Sequence, residues 1–312
     1  MKNKILVSVI FILSIASSYA TDTPFGFLRF ASGARTAGLS GAVTSMTGDL
    51  ETVIFNPASL YTVEDKNVNV TFIKHVLDIN SGLLAYSFNI KGDNGKFAAT
   101  AGFTSYGSFD YADNQGNLNG TFGATDLALG LSYSNEIDTN FLYGVTAKYV
   151  YAGIEKASTS ALAVDAGILY MLPDGRTNVG LSMLNAGFQV TKIGEQTDKL
   201  PLDVRIGINH RLKGLPLLFN FSMHHLADET NGFFNRLKYF SIGGEFNFGE
   251  YVLVRIGYDN QIRTLTGAEK DKGLTGFSGG LGIKTPVVNF DYGINQYGAA
   301  ALLHRFSFEF NL

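Results

Sequence analysis

The sequence predicts an all-β protein, a transmembrane antiparallel β-barrel of about 14 strands with an N-terminal plug or hatch segment. Three observations point there. The last residues alternate: Phe306, Phe308, Phe310 and Leu312 fall on one face, and Arg305, Ser307, Glu309 and Asn311 on the other. About fourteen such segments, each of about ten residues or more, follow residue 67, joined alternately by longer and by tight connections. No stretch approaches the roughly 20 apolar residues of a membrane helix, so a membrane address requires β-structure. An apolar strand edge must be covered or closed, and a barrel does both.

Residues 1–20 resemble a secretory signal. Lys2 and Lys4 precede an apolar run over 5–16 and the small-residue pattern Ser18-Tyr19-Ala20, which predicts cleavage near Ala20 and residence in a bacterial outer membrane. The chain has 36 Gly, 15 Tyr and 25 Phe but no Cys or Trp, which suits one large all-β domain and excludes disulfides and a lipoprotein anchor. A net charge of −3 gives no argument for a nucleic-acid partner.

Residues 21–61 are the expected plug, because a fourteen-strand wall is too wide for its own side chains to fill. The segment carries Arg35, Gly38, Gly41, Asp49, Asn56 and Pro57. Asn56 before Pro57 should end any helix there, and Arg35 is placed to pair with wall carboxylates.

Residues 62–312 are the barrel. Strands are expected to start near Val68, Gly82, Lys96, Thr121, Phe141, Ala161, Thr177, Pro201, Leu217, Leu237, Tyr251, Gly276, Val287 and Ala301. Tight turns fall at Gly92-Asp93-Asn94-Gly95, Pro173-Asp174-Gly175, Lys213-Gly214, Gly249-Glu250 and Thr285-Pro286; the turn at 136–140 is less clearly marked. Longer connections are expected near Asp78 and over 106–120, 154–160, 187–200, 227–236, 263–275 and 297–300. Long on one side and short on the other is the asymmetry of an outer-membrane barrel with periplasmic termini.

Alternation also assigns faces. Val204, Ile206 and Ile208 should meet lipid, as should Phe240, Ile242, Phe246 and Phe248, leaving charges inside. The inward set is Asp126, Asp165, Asp203, Glu245, Asp259, Asp291 and Glu309 against Lys148, Arg205, Arg211, Arg255, Lys284 and Arg305. Seven acids against six bases argue for networks between plug and wall rather than an ion-selective ring.

The string FLRFASGARTAGLSGA (27–42), followed by NPASL (56–60), resembles the N-terminal signature of FadL-like outer-membrane barrels, and more closely the PorV/PorQ family of type IX secretion, nearest its PorQ members. The resemblance continues through YGSFDYADNQGNLNGTFGATDLALGLSYS (106–134), NVGLSMLNAGFQV (178–190), LPLDVRIGINHRL (200–212) and YGINQYGAAALLHRFSFEF (292–310). It implies a fourteen-strand barrel with a hatch, serving the machinery that receives and anchors secreted cargo.

Chemistry is sparse. Gly276-Phe277-Ser278-Gly279-Gly280 matches G-x-S-x-G but opens a strand rather than a strand-turn-helix corner. His224 and His225 are adjacent and on one strand would point to opposite faces, so they should not share a metal. Asp110, Asp113, Asn114 and Asn117 crowd one loop and are better explained as turn formers than as calcium ligands. No catalytic residue, metal or cofactor is expected. The favoured function is an accessory barrel contacting outer-membrane lipid, type IX components and secreted cargo. The alternative is a FadL-like transporter with a hydrophobic ligand.

Overall fold

The computed structural model describes residues 23–29, 32–75, 78–112, 115, 117–195, 197–228, 230, 233–265, 273–298 and 301–312. The signal-like segment and the loop residues Asp113 and Asn114 lie outside them. Fourteen strands form one closed antiparallel wall: β1 (Asn67–Lys74), β2 (Asn80–Phe88), β3 (Lys96–Ala112), β4 (Leu118–Asp138), β5 (Phe141–Ile154), β6 (Ala157–Met171), β7 (Thr177–Thr191), β8 (Asp203–Arg211), β9 (Leu217–Met223), β10 (Phe240–Phe248), β11 (Val252–Asp259), β12 (Phe277–Lys284), β13 (Val288–Gly298) and β14 (Ala301–Asn311). The order is sequential, and β14 returns to β1 with Phe310 opposite Val68 and Phe306 opposite Phe72. Closure leaves no edge among them.

The expected starts at Lys96, Phe141, Thr177, Leu217 and Ala301 coincide with the structure, and the others shift by one to four residues. The exterior is apolar all round, with Phe72, Leu84, Leu131, Ile256, Leu281 and Phe308 exposed on successive parts of the wall. Such a wall with satisfied backbone is built to span a membrane.

Connections differ from expectation where strands run on. The link predicted over 154–160 is a two-residue turn, Glu155-Lys156, with Glu155 at φ 55°. Between β13 and β14 only residues 299–300 intervene, so the predicted long link over 297–300 is also short. The loop predicted over 106–120 is mostly a ribbon. β2 begins opposite Ser105 and β5 ends opposite Ala124, so farther out β3 and β4 pair with each other alone, Phe109 opposite Phe122 and Asp110 opposite Thr121. Once both faces of a strand are wet, apolar alternation fades and with it the sequence signal.

A register shift between Ser105 and Ser108, with Gly107 at φ 78°, marks the base of this ribbon. Phe122 lies on the same face of β4 as the buried Asp126, so the ring stack of Phe109, Tyr111 and Phe122 continues the lumen side of the wall.

Inside the wall sit a 3₁₀ turn (Gly26–Arg29), the helix α1 (Ala34–Gly38) and two further 3₁₀ turns, Leu50–Ile54 and Pro57–Thr62. Asn56 separates the last two: its extended backbone ends one, and its side chain, accepting from Ala58 N with Pro57 following, starts the other. Small apolar clusters join plug to wall, among them Leu50, Val53, Leu60 and Val63 against Ala85 and Ala98.

The plug's main chain comes close to the wall because glycines face each other across strands where it passes. Gly144 is opposite Gly167, Gly180 opposite Gly207, Gly243 opposite Gly257 and Gly280 opposite Gly293. A Cβ on Gly180 would lie 2.2 Å from the Thr44 carbonyl oxygen, one on Gly144 2.3 Å from the Pro57 carbonyl carbon, and one on Gly293 2.3 Å from the Ala34 carbonyl oxygen.

Two expectations follow. Leu281→Arg, central on the lipid face of β12, should cost about 2 to 4 kcal/mol, read as lost heat-modifiable mobility or a lowered unfolding midpoint in lipid. Gly180→Ala should cost about 1 to 3 kcal/mol by the same assay, because its new methyl meets main chain rather than a yielding side chain.

Candidate functional site

The plug is held at one side by a charge clamp. Arg35 of α1 donates from Nε and Nη2 to the two carboxylate oxygens of Glu245 on β10, each at 2.8 Å, and from Nη1 to Asp49 at 2.8 Å. Glu245 also accepts from Arg255 Nε on β11 at 2.7 Å, and Arg255 Nη1 donates to Asp291 on β13. Arg255 and Glu245 are buried, so each charge depends on its partners rather than on water.

Neighbouring groups complete this side. Arg305 on β14 is fully buried and donates from Nη1 to Asn295 Oδ1 at 2.6 Å, while Glu309 accepts from Asn67 Nδ2 at 2.5 Å. Glu51, in the plug, is buried without an ion-pair partner among the described residues, held by weak contacts from Thr36 N at 3.3 Å and Asn69 Nδ2 at 3.4 Å. Burial, then the charges of Asp49 and Asp291, push its carboxyl up to about 7.

Asn56 binds plug and wall together by donating from Nδ2 to the carbonyls of Thr44 at 2.8 Å and of Ile168 on β6 at 3.1 Å. Gly38 packs at Gly280, whose Cα lies 3.1 Å from a Cβ built there, and Gly41 turns the chain at φ 72°.

A second cluster lies at the long-connection end of β8, β9 and β11. Arg29 grips Asp228 from Nη1 at 2.9 Å and Nη2 at 2.5 Å; Arg205 Nε donates to Asp203 at 2.6 Å, with its guanidinium 4.9 Å over the Phe55 ring. Lys148 pairs with Asp165 at 2.6 Å and donates to Asn185 at 3.0 Å; Tyr106 donates to Asp126 at 2.6 Å.

The two adjacent histidines correct the sequence expectation. The strand ends at Met223, and His225 takes the left-handed backbone at φ 53°, so both rings turn into the lumen with centroids 4.8 Å apart. His224 Nε2 lies 3.3 Å from Asp259 and His225 Nε2 3.4 Å from Asp203. Among the described residues, no group of three or more His, Cys, Asp or Glu side chains is arranged to hold a metal.

Two members of the predicted inward set do not reach the lumen interior. Arg211 and Lys284 end β8 and β12 beside tight turns and are exposed. Alternation gives the face but not the depth, and at a strand's last residue the inward side is already the rim.

Between plug and wall are two sizeable cavities. One, of about 430 Å³, is lined by Arg29, Arg205, His224, His225, Asp259 and Gln261 among others. The second, of about 370 Å³, is mainly apolar, with Phe27, Ile73, Leu83, Phe103 and Leu303 in its lining. A narrow space of about 50 Å³ shares Arg29, Phe55 and Arg205 with the first and Leu83, Gly102 and Ala128 with the second.

Solved structures share this fold. The Ralstonia pickettii toluene transporter TbuX is 12% identical, covering 90% of this chain and 98% of that chain, with a TM-score of 0.56. The P. putida toluene transporter TodX is 11% identical, covering 90% and 98%, with a TM-score of 0.57. A Pseudomonas aeruginosa FadL homologue is 11% identical, covering 89% and 97%, with a TM-score of 0.52. No protein-family model matches the chain, and no curated protein does. At such identities the likeness is one of fold alone.

Glu245→Ala leaves two buried guanidinium groups short of their shared carboxylate and should cost about 3 to 5 kcal/mol of stability in detergent unfolding, whereas Lys284→Ala should leave the midpoint unchanged. Glu51 gives a pH signature. Its folded pKa lies above the unfolded value, so its contribution is full below about pH 4 and is lost as pH rises through about 7. Glu51→Gln should therefore flatten the fall in unfolding midpoint between about pH 5 and about pH 9.

Proposed function

We propose that this protein is an outer-membrane channel that passes small hydrophobic molecules, entering the membrane after removal of residues 1–20 and acting without catalysis. The observation that carries this reading is the mainly apolar cavity of about 370 Å³ between plug and lipid-spanning wall. An apolar pocket of that size binds hydrocarbon-like bodies by excluding water, and a few convergent polar groups fix orientation. Two of the fold neighbours are toluene transporters, which supports the same direction.

A second reading is an accessory barrel of the PorV/PorQ kind, engaging type IX components and secreted cargo. It draws on the motif resemblance and on the clamp of Arg35, Glu245, Arg255 and Asp291, which suits a plug that stays in place.

The test is uptake of a labelled monoaromatic hydrocarbon by cells of a host that has no such channel. The chain should raise the uptake rate. Gly102→Phe should return it to the host's level while the barrel still folds, because Gly102 faces open space at the junction with the narrow passage, where an added Cβ meets only Leu83 Cδ1 at 3.9 Å and Gly82 O at 4.0 Å. Uptake equal to that of the host without the chain would overturn the channel reading. Recovery of secretion components and cargo from native membranes would then favour the second.

A further inference from the structure

Away from the clamp, three cations among the described residues line the cavities: Arg29, Lys148 and Arg205. Each already has a carboxylate, in Asp228, Asp165 and Asp203. Two more carboxylates stand in or beside the same space without a permanent cation. Asp259 faces His224 at 3.3 Å, and Asp126 accepts from Tyr106 at 2.6 Å. His225 adds no positive charge near neutrality, since burial lowers its pKa to about 3. The field in these cavities is therefore balanced to negative, and a carboxylate brought into them would shed its water with no unpaired cation to receive it.

Hydrogen-bond donors are nevertheless on offer. Arg205 spends Nε on Asp203 and its flat face on Phe55, while its Nη groups make no hydrogen bond to a described residue. Arg205 stands where the larger cavity meets the narrow passage, and from it Leu28, Ile54, Leu83 and Leu184 lead toward the apolar cavity.

We propose that the ligand is an uncharged amphiphile, its oxygen accepting from Arg205 Nη and its apolar body lying along this passage, and that fatty carboxylates are refused. This deepens the channel reading and rests on it. The selectivity is electrostatic rather than steric: one oxygen acceptor is welcome, and a full negative charge is not.

The experiment is equilibrium binding of labelled decanol, decanoate and decane to the purified protein in lipid nanodiscs at about pH 8, where decanoate is ionised, with empty nanodiscs subtracted. Decanol should bind about tenfold or more tightly than decanoate. Arg205→Met should weaken decanol about tenfold and leave decane unchanged, and Arg205→Lys, which keeps the charge but loses the fork, should weaken decanol less. Asp203→Asn, which frees the Arg205 charge, should raise decanoate binding. Decanoate binding as tightly as decanol in the unmodified protein would overturn the proposal whatever the variants do, and would leave the channel reading standing. Binding of none of the three would overturn both.

Discussion

Everything inside this barrel depends on how near the plug's main chain can come to the wall. At four places along its course, a pair of glycines on adjacent strands removes the methyl that would hold it off, as at Gly180 and Gly207 beside Thr44 and at Gly243 and Gly257 beside Leu39. That closeness lets Asn56 bond a plug carbonyl and a wall carbonyl at once, and lets Arg35 reach Glu245 with both arms of its guanidinium. A strand full of glycine is weak alone. Here each is held in a closed ladder, and the lost side-chain packing is replaced by main chain.

With the gap closed, water is excluded and charges must find one another. Arg35, Arg255, Glu245, Asp49 and Asp291 do so in one connected network with bidentate geometry, the arrangement in which buried ions offset their desolvation best. Glu51 is the exception: among the described residues it has no ion-pair partner, and burial raises its pKa to about 7. On the other side of the lumen the same rule produces three separate ion pairs around open space. The difference is one of packing: where the plug's main chain meets the wall glycines a clamp forms beside it, and where the plug does not reach the wall cavities remain.

The wall was legible because a membrane strand has one face in lipid and the other in a polar lumen, so Val204, Ile206 and Ile208 against Asp203, Arg205 and Asn209 announce themselves by period. Legibility stopped where that contrast did. Past Ser105 and Ala124 both faces of β3 and β4 meet water, and the ribbon looks like a loop. His224 and His225 broke the period through a backbone angle that no residue type there demands. The glycine pairs did carry a signal: Val179-Gly180-Leu181, Ile206-Gly207-Ile208 and Tyr292-Gly293-Ile294 each put glycine at an inward position between two lipid-facing residues. A mid-strand glycine of that kind marks a surface awaiting another chain segment. The cavities had no such trace, because they depend on what the plug fails to fill.

The seam between β1 and β14 ties the wall to its contents. Ser307 of β14 accepts from Ala34 N of the plug and is bonded to Thr71 of β1, so the final strand touches both the ring's first member and its contents. Ring closure and the seating of the hatch therefore meet at one hydroxyl, so a loosened seam would also loosen the hold on what it surrounds.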